Sequence, residues 1–229
     1  MKSSEGTEEQ KRRAGEAAAN AVEDGMVVGL GTGSTAAHAI AAIGRRADAG
    51  LDVRGVPTSY QSRALAIDSG IPLTSMDEVD GVDLAIDGAD QVAFWDLIKG
   101  GGAAHAREEI VDASAERLLI VVDPSKQAET LSLPVPVEVL PAARAVVSGG
   151  ISDLGGEPAL RAAERKDGPV VTDNGNVVLD GDFGRIEDPA GLATSLASLP
   201  GVVAHGLFVD MVDAVYVGTQ DGVEVTRSE

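Results

Sequence analysis

"VVGLGTGSTAAHAIAAI", residues 27–43, combines the marks of a strand, a glycine-rich turn and a helix. The apolar run at residues 26–30 contains β-branched valines, and residues 36–43 repeat alanine and isoleucine at helical spacing. The loop at residues 31–35 is therefore expected at a helix N-terminus, where backbone N–H groups and the helix dipole attract anions. Because its hydroxyl side chains add further donors, the stretch predicts a site for a phosphate or a carboxylate.

The same loop departs from both familiar nucleotide-binding fingerprints. A dinucleotide-binding turn follows G-x-G-x-x-G, but after Gly29 and Gly31 this chain has Ser34 where the third glycine should stand. A P-loop ends in Gly-Lys-Ser/Thr, and the segment contains no lysine. These mismatches argue against a nucleotide-dependent transferase or dehydrogenase. A tight turn that binds nothing remains an open alternative.

Composition and charge narrow the class of protein. The 229 residues are 44% hydrophobic but only 3% aromatic, which predicts a globular protein with an aliphatic core. With 18 Lys+Arg against 37 Asp+Glu, the net charge is −19, a field that repels nucleic acid and anionic membranes. The acidic residues are dispersed along the chain, as on the surface of a protein from a salt-rich cytoplasm.

Other features of the composition exclude several kinds of site. The chain has no cysteine, which excludes disulfides and thiolate metal sites and is compatible with a reducing cytoplasm. No signal-peptide core or run of 18 apolar residues is present. Three histidines, His38, His105 and His205, share no metal-ligand spacing, so we expect no zinc site and predict each to be at the surface or half-buried.

Helical and strand patterns alternate through the first part of the chain. Helices are predicted near residues 8–23, 35–47, 59–69 and 103–114, and strands at 26–30, 52–56, 83–87 and 117–122. This alternation predicts a mostly parallel sheet with helices on both faces.

From about residue 133 the order changes to β-α-β-β-α-β, which is the ferredoxin-like pattern. It includes strands at 157–163 and in "GVVAHGLF", a strand-turn-strand hairpin around Asn174-Gly175, and a helix with Asp188 as N-cap. "DAVYVGTQDGVEV" then returns to the first sheet. The sequence thus predicts a Rossmann-like α/β domain, residues 1–131 plus 208–229, and a smaller ferredoxin-like α+β lid domain, residues 132–207.

Two further glycine clusters follow predicted strands and could carry chemistry. In "AIDGAD", Asp87 and Asp90 flank Gly88 and Ala89, and two carboxylates so close in sequence suit acid–base work. Ligands bind outside the carboxyl ends of parallel strands, where this segment and the 31–35 loop are both expected. The alternative is an Asx-type turn with solvated aspartates.

The second cluster is "IKGGGAAHAREEI", residues 98–110. Three consecutive glycines allow close approach of a ligand, and Lys99 places a cation beside a developing oxyanion. The following helix is predicted to bury an apolar stripe, with Glu108 pointing away and Glu109 on its flank. The predicted stripe comprises Ala103, Ala106, Ile110 and Ala113. Periodicity alone does not choose between the two glutamates as a base.

Five motifs in the same order, "GTGSTA", "DGAD", "KGGGAA…REEI", "DPSKQ" and "VTDNGNV", resemble the A type of ribose-5-phosphate isomerase. The resemblance covers nearly the whole chain and implies an α/β domain with a ferredoxin-like lid. It implies interconversion of ribose 5-phosphate and ribulose 5-phosphate without metal or organic cofactor. A homodimer or homotetramer in the cytoplasm, binding a small sugar phosphate, is likewise implied.

The resemblance also implies catalytic roles. Glu108 matches the base that moves a proton between C2 and C1, and Asp87 and Asp90 match aspartates that handle ring opening and hydroxyl protons. Lys99 matches the cation that stabilises the enediolate, together with N–H groups of Gly100, Gly101 and Gly102. Substrate binding is implied for Thr32, Gly33, Ser34, Thr35, Gly88, Ala89, Lys126 and Lys11. His105 departs from the family, which commonly has an apolar residue there.

A non-catalytic sugar-phosphate sensor is the alternative, because related sheet domains serve transcriptional regulators. The residues before the first strand leave room for one helix and not for a DNA-binding helix-turn-helix. The presence of Glu108 also favours the enzyme.

Overall fold

The computed structural model describes residues 6–228, which form two compact units. The first unit contains residues 6–89, Arg107–Gln127 and 211–228. The second contains Asp90–Ala106 and Ala128–Asp210. The domain boundaries at residues 131/132 and 207/208 stay a prediction, because compactness alone does not define an independently folding domain.

Thirteen strands and six α-helices are present in the described residues. The strands are β1 (Met26–Leu30), β2 (Val53–Pro57), β3 (Leu84–Asp87), β4 (Gln91–Ala93), β5 (Asp96–Ile98), β6 (Leu118–Val122), β7 (Val135–Val139), β8 (Glu157–Leu160), β9 (Val177–Asp182), β10 (Val202–His205), β11 (Leu207–Phe208), β12 (Ala214–Gly218) and β13 (Val223–Arg227). The helices are α1 (Glu8–Ala19), α2 (Ser34–Asp48), α3 (Tyr60–Asp68), α4 (His105–Ala113), α5 (Arg144–Asp153) and α6 (Pro189–Ala197).

The first unit has a six-stranded sheet in the order β13-β12-β6-β3-β1-β2. All neighbouring strands are parallel except the β12–β13 pair. The mostly parallel α/β sheet is therefore confirmed, as is the return of the C-terminal segment to this sheet. A parallel sheet places the carboxyl ends of β1, β3 and β6 at one edge, which is where ligands bind in such folds.

Helices cover both faces of this sheet. Val28 and Leu30 of β1 belong to an apolar cluster with residues of α1 and α2. Gly29 faces the opposite side, where an added Cβ atom would lie only 2.7 Å from Cγ1 of Val111 in α4. The glycine therefore permits α4 to pack closely on the second face.

The second unit has an antiparallel sheet in the order β10-β7-β9-β8, which confirms the ferredoxin-like arrangement. Its apolar core includes Val137, Leu179, Ile151 of α5 and Leu196 of α6. Asp188 caps α6 as predicted, accepting a hydrogen bond from Gly191 N at 2.9 Å. A separate three-stranded sheet, β11-β5-β4, was not predicted.

Several predicted element boundaries are wrong. The first helix ends at Ala19, since Asn20 caps it, and the predicted 157–163 strand ends at Leu160. The predicted strand "GVVAHGLF" is two short strands, β10 and β11, in different sheets. The change of sheet occurs at Gly206, whose N–H group donates to Pro136 O while its carbonyl oxygen accepts from Lys99 N. The hairpin keeps its turn, but its first arm is a single bridge from Val171 to Val177.

Within residues 6–228, no helix is both long enough and apolar enough to cross a membrane.

Candidate active site

The loop at residues 31–35 joins β1 to α2 in the first unit. Gly33 precedes α2 with a φ of 112°, a conformation that favours glycine, and no side chain caps the helix. By contrast, α1 begins with a capping box formed by Thr7 and Gln10. The first-turn N–H groups of α2 thus have no capping side chain, an arrangement compatible with anion binding, which stays a prediction.

Asp87, at the end of β3, is fully buried against this loop. Its Oδ1 accepts hydrogen bonds from Thr32 N at 2.9 Å and from Gly88 N at 2.7 Å. A Cβ atom on Gly31 would overlap the Asp87 carboxylate, so only glycine permits this approach. The structure therefore brings the 31–35 loop and the D-G-A-D segment together, and the solvated-aspartate alternative is wrong for Asp87.

A buried hydroxyl network that was not predicted supports Thr32. Thr32 Oγ1 lies 2.8 Å from Thr58 Oγ1 and donates to Ser59 Oγ at 2.7 Å. Ser59 in turn forms the capping box of α3 with Ser62. The available signal was "TS" directly after β2, since residues at strand ends of a parallel sheet tend to reach the site.

The two predicted substrate-binding lysines of the first unit lie on different elements. Lys126 ends a short 3₁₀ turn that buried Asp123 caps by accepting from Ser125 N at 2.9 Å. Lys11 lies on α1 and forms an ion pair with Glu8 at 3.0 Å. The roles of both lysines in substrate binding remain predictions.

In the second unit, Lys99 follows β5 and its side chain is almost fully buried. The Lys99 ammonium lies 5.3 Å from the centroid of the Phe208 ring, within the range of a cation–π contact. The N–H group of Gly101 donates to Oδ2 of Asp90 at 2.6 Å. This bond brings Asp90 and the glycine loop together and engages one of the three predicted enediolate donors.

His105 lies against this loop and has no exposed surface. A Cβ atom on Gly100, whose φ is +99°, would lie 2.7 Å from His105 Nδ1. Burial, assisted by the nearby positive charge of Arg161, lowers the pKa of His105 to about 3, so its imidazole is neutral. The predicted surface or half-buried position is thus wrong for His105, and also for His205, whereas His38 is half-buried as predicted.

The predicted apolar stripe of α4 is partly wrong, since Ala103 and Ala106 are buried but Ile110 and Ala113 are exposed. The helix begins at His105, so Ala103 precedes it, and Ile110 is 58% exposed. Glu108 is only 5% exposed and shares the buried face with Val111 and Asp112. The prediction failed because it assumed that the buried face would be the apolar one.

Glu109 and Asp112 complete the acidic groups of this helix. Glu109 is partly exposed, and burial raises the pKa of its carboxyl. Asp112 is buried one helical turn after Glu108, and it was not among the predicted site residues. The signal that could have found it is the i, i+4 spacing of two carboxylates on one helix face.

Comparison with known proteins finds relatives over most of the chain. The family model of ribose 5-phosphate isomerase A (phosphoriboisomerase A) matches residues 54–222. The ribose-5-phosphate isomerase A of Haloarcula marismortui is 69% identical over 220 residues, which cover 96% of each chain. Such a haloarchaeal relative fits the salt-adapted composition.

Solved structures of ribose 5-phosphate isomerases also match this chain. Ribose 5-phosphate isomerase A from Methanocaldococcus jannaschii matches with a TM-score of 0.93 and 45% identity, covering 96% of this chain and 99% of that one. A D-ribose-5-phosphate isomerase solved in complex with phospho-erythronic acid matches with the same TM-score, 43% identity and the same coverage. From these matches and the motifs at the site, the chain belongs to the ribose 5-phosphate isomerase A family.

Proposed function

We propose that this chain interconverts D-ribose 5-phosphate and D-ribulose 5-phosphate by proton transfer through an enediolate. The observation that carries the proposal is Glu108, a carboxylate buried on α4 within residues 54–222, which the family model matches. A glutamate with only 5% exposure is unusual on a helix unless it serves chemistry or an ion pair.

Glu108 takes the proton from C2 of the open-chain aldose and returns it to C1, so one carboxylate serves as base and then as acid. A proton next to a carbonyl is weakly acidic, so the reaction needs stabilisation of the developing oxyanion. Lys99 supplies the positive charge for this purpose. The N–H groups of Gly100 and Gly102 complete the donors, since that of Gly101 is held by Asp90.

Asp87 and Asp90 have different roles in this proposal. Asp90 is partly exposed and exchanges protons with substrate hydroxyls during ring opening. Asp87 handles hydroxyl protons and also fixes the 31–35 loop through Thr32 N.

The 31–35 loop binds part of the sugar phosphate at the N-terminus of α2, with Thr32, Gly33, Ser34 and Thr35 as donors. Lys126 and Lys11 contribute cations, which a protein of charge −19 needs for an anionic substrate. The related structure bound to phospho-erythronic acid supports a small anionic sugar derivative as ligand. No metal or organic cofactor takes part, and the enzyme works in the cytoplasm as a homodimer or homotetramer.

The test compares Glu108→Gln with Glu109→Gln, its neighbour on the same helix. Conversion of ribose 5-phosphate is measured in molar KCl with EDTA. We expect kcat to fall about 10³-fold for Glu108→Gln, within the range for loss of a general base, and to stay within about threefold for Glu109→Gln. Full activity of Glu108→Gln would assign the base elsewhere. A folded wild-type protein that binds ribose 5-phosphate without turnover would favour the sugar-phosphate sensor.

A further inference from the structure

The K-G-G-G loop is contacted from a distant part of the second unit. Arg161, directly after β8, donates from Nη1 to the carbonyl oxygen of Gly100 at 2.8 Å and to that of Gly101 at 3.4 Å. Gly100 lies 61 positions earlier in the chain. None of the roles assigned above includes Arg161.

Asp180 of β9 holds the Arg161 guanidinium in place. Arg161 Nε donates to Asp180 Oδ2 at 2.9 Å, and Nη2 donates to Oδ1, so the pair is bidentate. The Arg161 and Asp180 side chains are 17% and 25% exposed, so water competes little with this geometry. The guanidinium is thereby fixed on one side and presents Nη1 to the glycine loop.

The peptide between Gly100 and Gly101 is held at both ends. Arg161 binds its carbonyl oxygen, and Asp90 accepts from its N–H group at 2.6 Å. A peptide unit is planar, so these two contacts fix its orientation. The Gly100 carbonyl oxygen also accepts from Ala103 N at 2.9 Å, so without the two longer-range contacts this local bond alone would oppose rotation of a peptide between two flexible glycines.

We propose that Arg161, held by Asp180, is a positioning residue that fixes the peptide groups of the K-G-G-G loop for enediolate stabilisation. This inference rests on the proposed function. Rotation of the Gly100–Gly101 peptide would displace the neighbouring N–H groups of Gly100 and Gly102, the proposed enediolate donors, and so raise the barrier to the enediolate. Ground-state binding of the sugar phosphate does not depend on these dipoles, so the effect falls on kcat.

The central variant is Arg161→Lys, which keeps the charge but cannot form a bidentate pair and reach the loop with the same group. Asp180→Asn tests the supporting contact. The matched control is Arg45→Lys, which alters an ion pair of similar length, 2.7 Å to Glu16, elsewhere in the chain.

For Arg161→Lys we expect kcat to fall about tenfold, which is less than the loss in kcat caused by removing an oxyanion donor outright. KM should change less than about threefold. Asp180→Asn should lower kcat in the same direction, and the double variant should be no worse than Arg161→Lys within about twofold, because both act through one contact. Arg45→Lys should leave kcat unchanged.

A second readout does not require activity. Hydrogen exchange of the amides in a peptide covering residues 99–106 should be faster in Arg161→Lys than in wild type or Arg45→Lys. Wild-type kcat together with wild-type exchange in Arg161→Lys would overturn the positioning role, as would multiplicative losses in the double variant. An inactive wild-type protein would instead overturn the proposed function, and the exchange result would still decide whether Arg161 orders the loop.

Discussion

The loops at residues 31–35 and 99–102 are both rich in glycine, and each gives one backbone N–H group to an aspartate of the D-G-A-D segment. Thr32 N donates to Asp87, and Gly101 N donates to Asp90. The supports behind the two loops differ. The first is held by the end of β3 and by buried hydroxyls of its own unit, whereas the second depends on Arg161 from far along the chain.

Similar glycine motifs are thus held rigid by different contacts. Asp87 is fully buried and its partner loop continues directly into a helix, so the first loop has little room to adjust. Asp90 is partly exposed, and Gly101 and Gly102 are exposed, so the second loop can yield when a contact is altered. We therefore expect the first loop to govern stability and the second to govern turnover.

The sharpest test of this contrast is a pair of alanine substitutions. In Gly31→Ala the new Cβ would clash with the Asp87 carboxylate and Cα, and we expect the free energy of unfolding to fall by about 3 kcal/mol, as for severe overpacking. In Gly101→Ala the clash is with the Asp90 carboxylate alone, which can move, so the loss should stay below about 1 kcal/mol. Urea unfolding in molar KCl measures both values.

Equal losses in the two variants would contradict the contrast. Gly149→Ala in α5 serves as a control, since a Cβ atom there would meet no neighbour outside its own helix within 4 Å and alanine favours a helix, so we expect no loss of stability.

A second test uses pH and the histidine beneath the 99–102 loop. Because burial lowers the pKa of His105 to about 3, against about 6.5 unfolded, the unfolded chain binds one proton more between these values. This contribution to stability is complete above pH 6.5 and is lost as pH falls toward 3. Lowering the pH to 5, about 1.5 units below the unfolded pKa, should reduce the free energy of unfolding by about 2 kcal/mol, because each pKa unit is worth about 1.4 kcal/mol.

We expect His105→Gln to remove this part of the pH dependence. The measurement is the change in unfolding free energy between pH 8 and pH 5 for wild type and variant. His205, whose pKa is also lowered by burial, titrates in both proteins and cancels in the comparison. An unchanged pH slope in the variant would show that His105 is not the group responsible.

The smallest expected effect concerns the hydroxyls behind the 31–35 loop. Thr58→Val removes a buried hydroxyl that donates to Leu30 O at 3.1 Å and contacts Thr32 Oγ1. We expect a loss of about 1 kcal/mol, the usual net value of such a hydrogen bond. Thr194→Val, on the exposed side of α6, should change stability by less than about 0.5 kcal/mol. Thermal unfolding of both variants checks the difference.

Much of the first loop could be predicted from local sequence. Strand, turn and helix signals lie side by side in residues 26–43, and the parallel sheet then places Asp87 near the loop. The hydroxyl network was missed because its members belong to the next βα unit, and hydroxyl residues after a strand are common in ordinary turns.

The second loop was predicted less completely for a physical reason. Arg161 directly follows β8 and Asp180 lies in β9, both in another sheet, and their contact with Gly100 has no local sequence signal. Likewise, hydrophobic periodicity placed Ile110 inside α4, because that method assigns burial by polarity and a functional helix can bury Glu108 instead. The roles of individual site residues therefore came from the family resemblance and not from periodicity.

The position of β12 in the first sheet has a consequence for synthesis of the protein. This strand pairs with β6, although residues 123–213 lie between them, and Gly218 at its end packs closely against the backbone of Gln10 and Ala14 in α1. During synthesis on the ribosome, one edge of β6 therefore stays unpaired until about 90 further residues have been translated. Until then α1 also lacks part of its packing surface. The acidic surface offers protection during that interval, since mutual repulsion between nascent chains opposes edge-to-edge association.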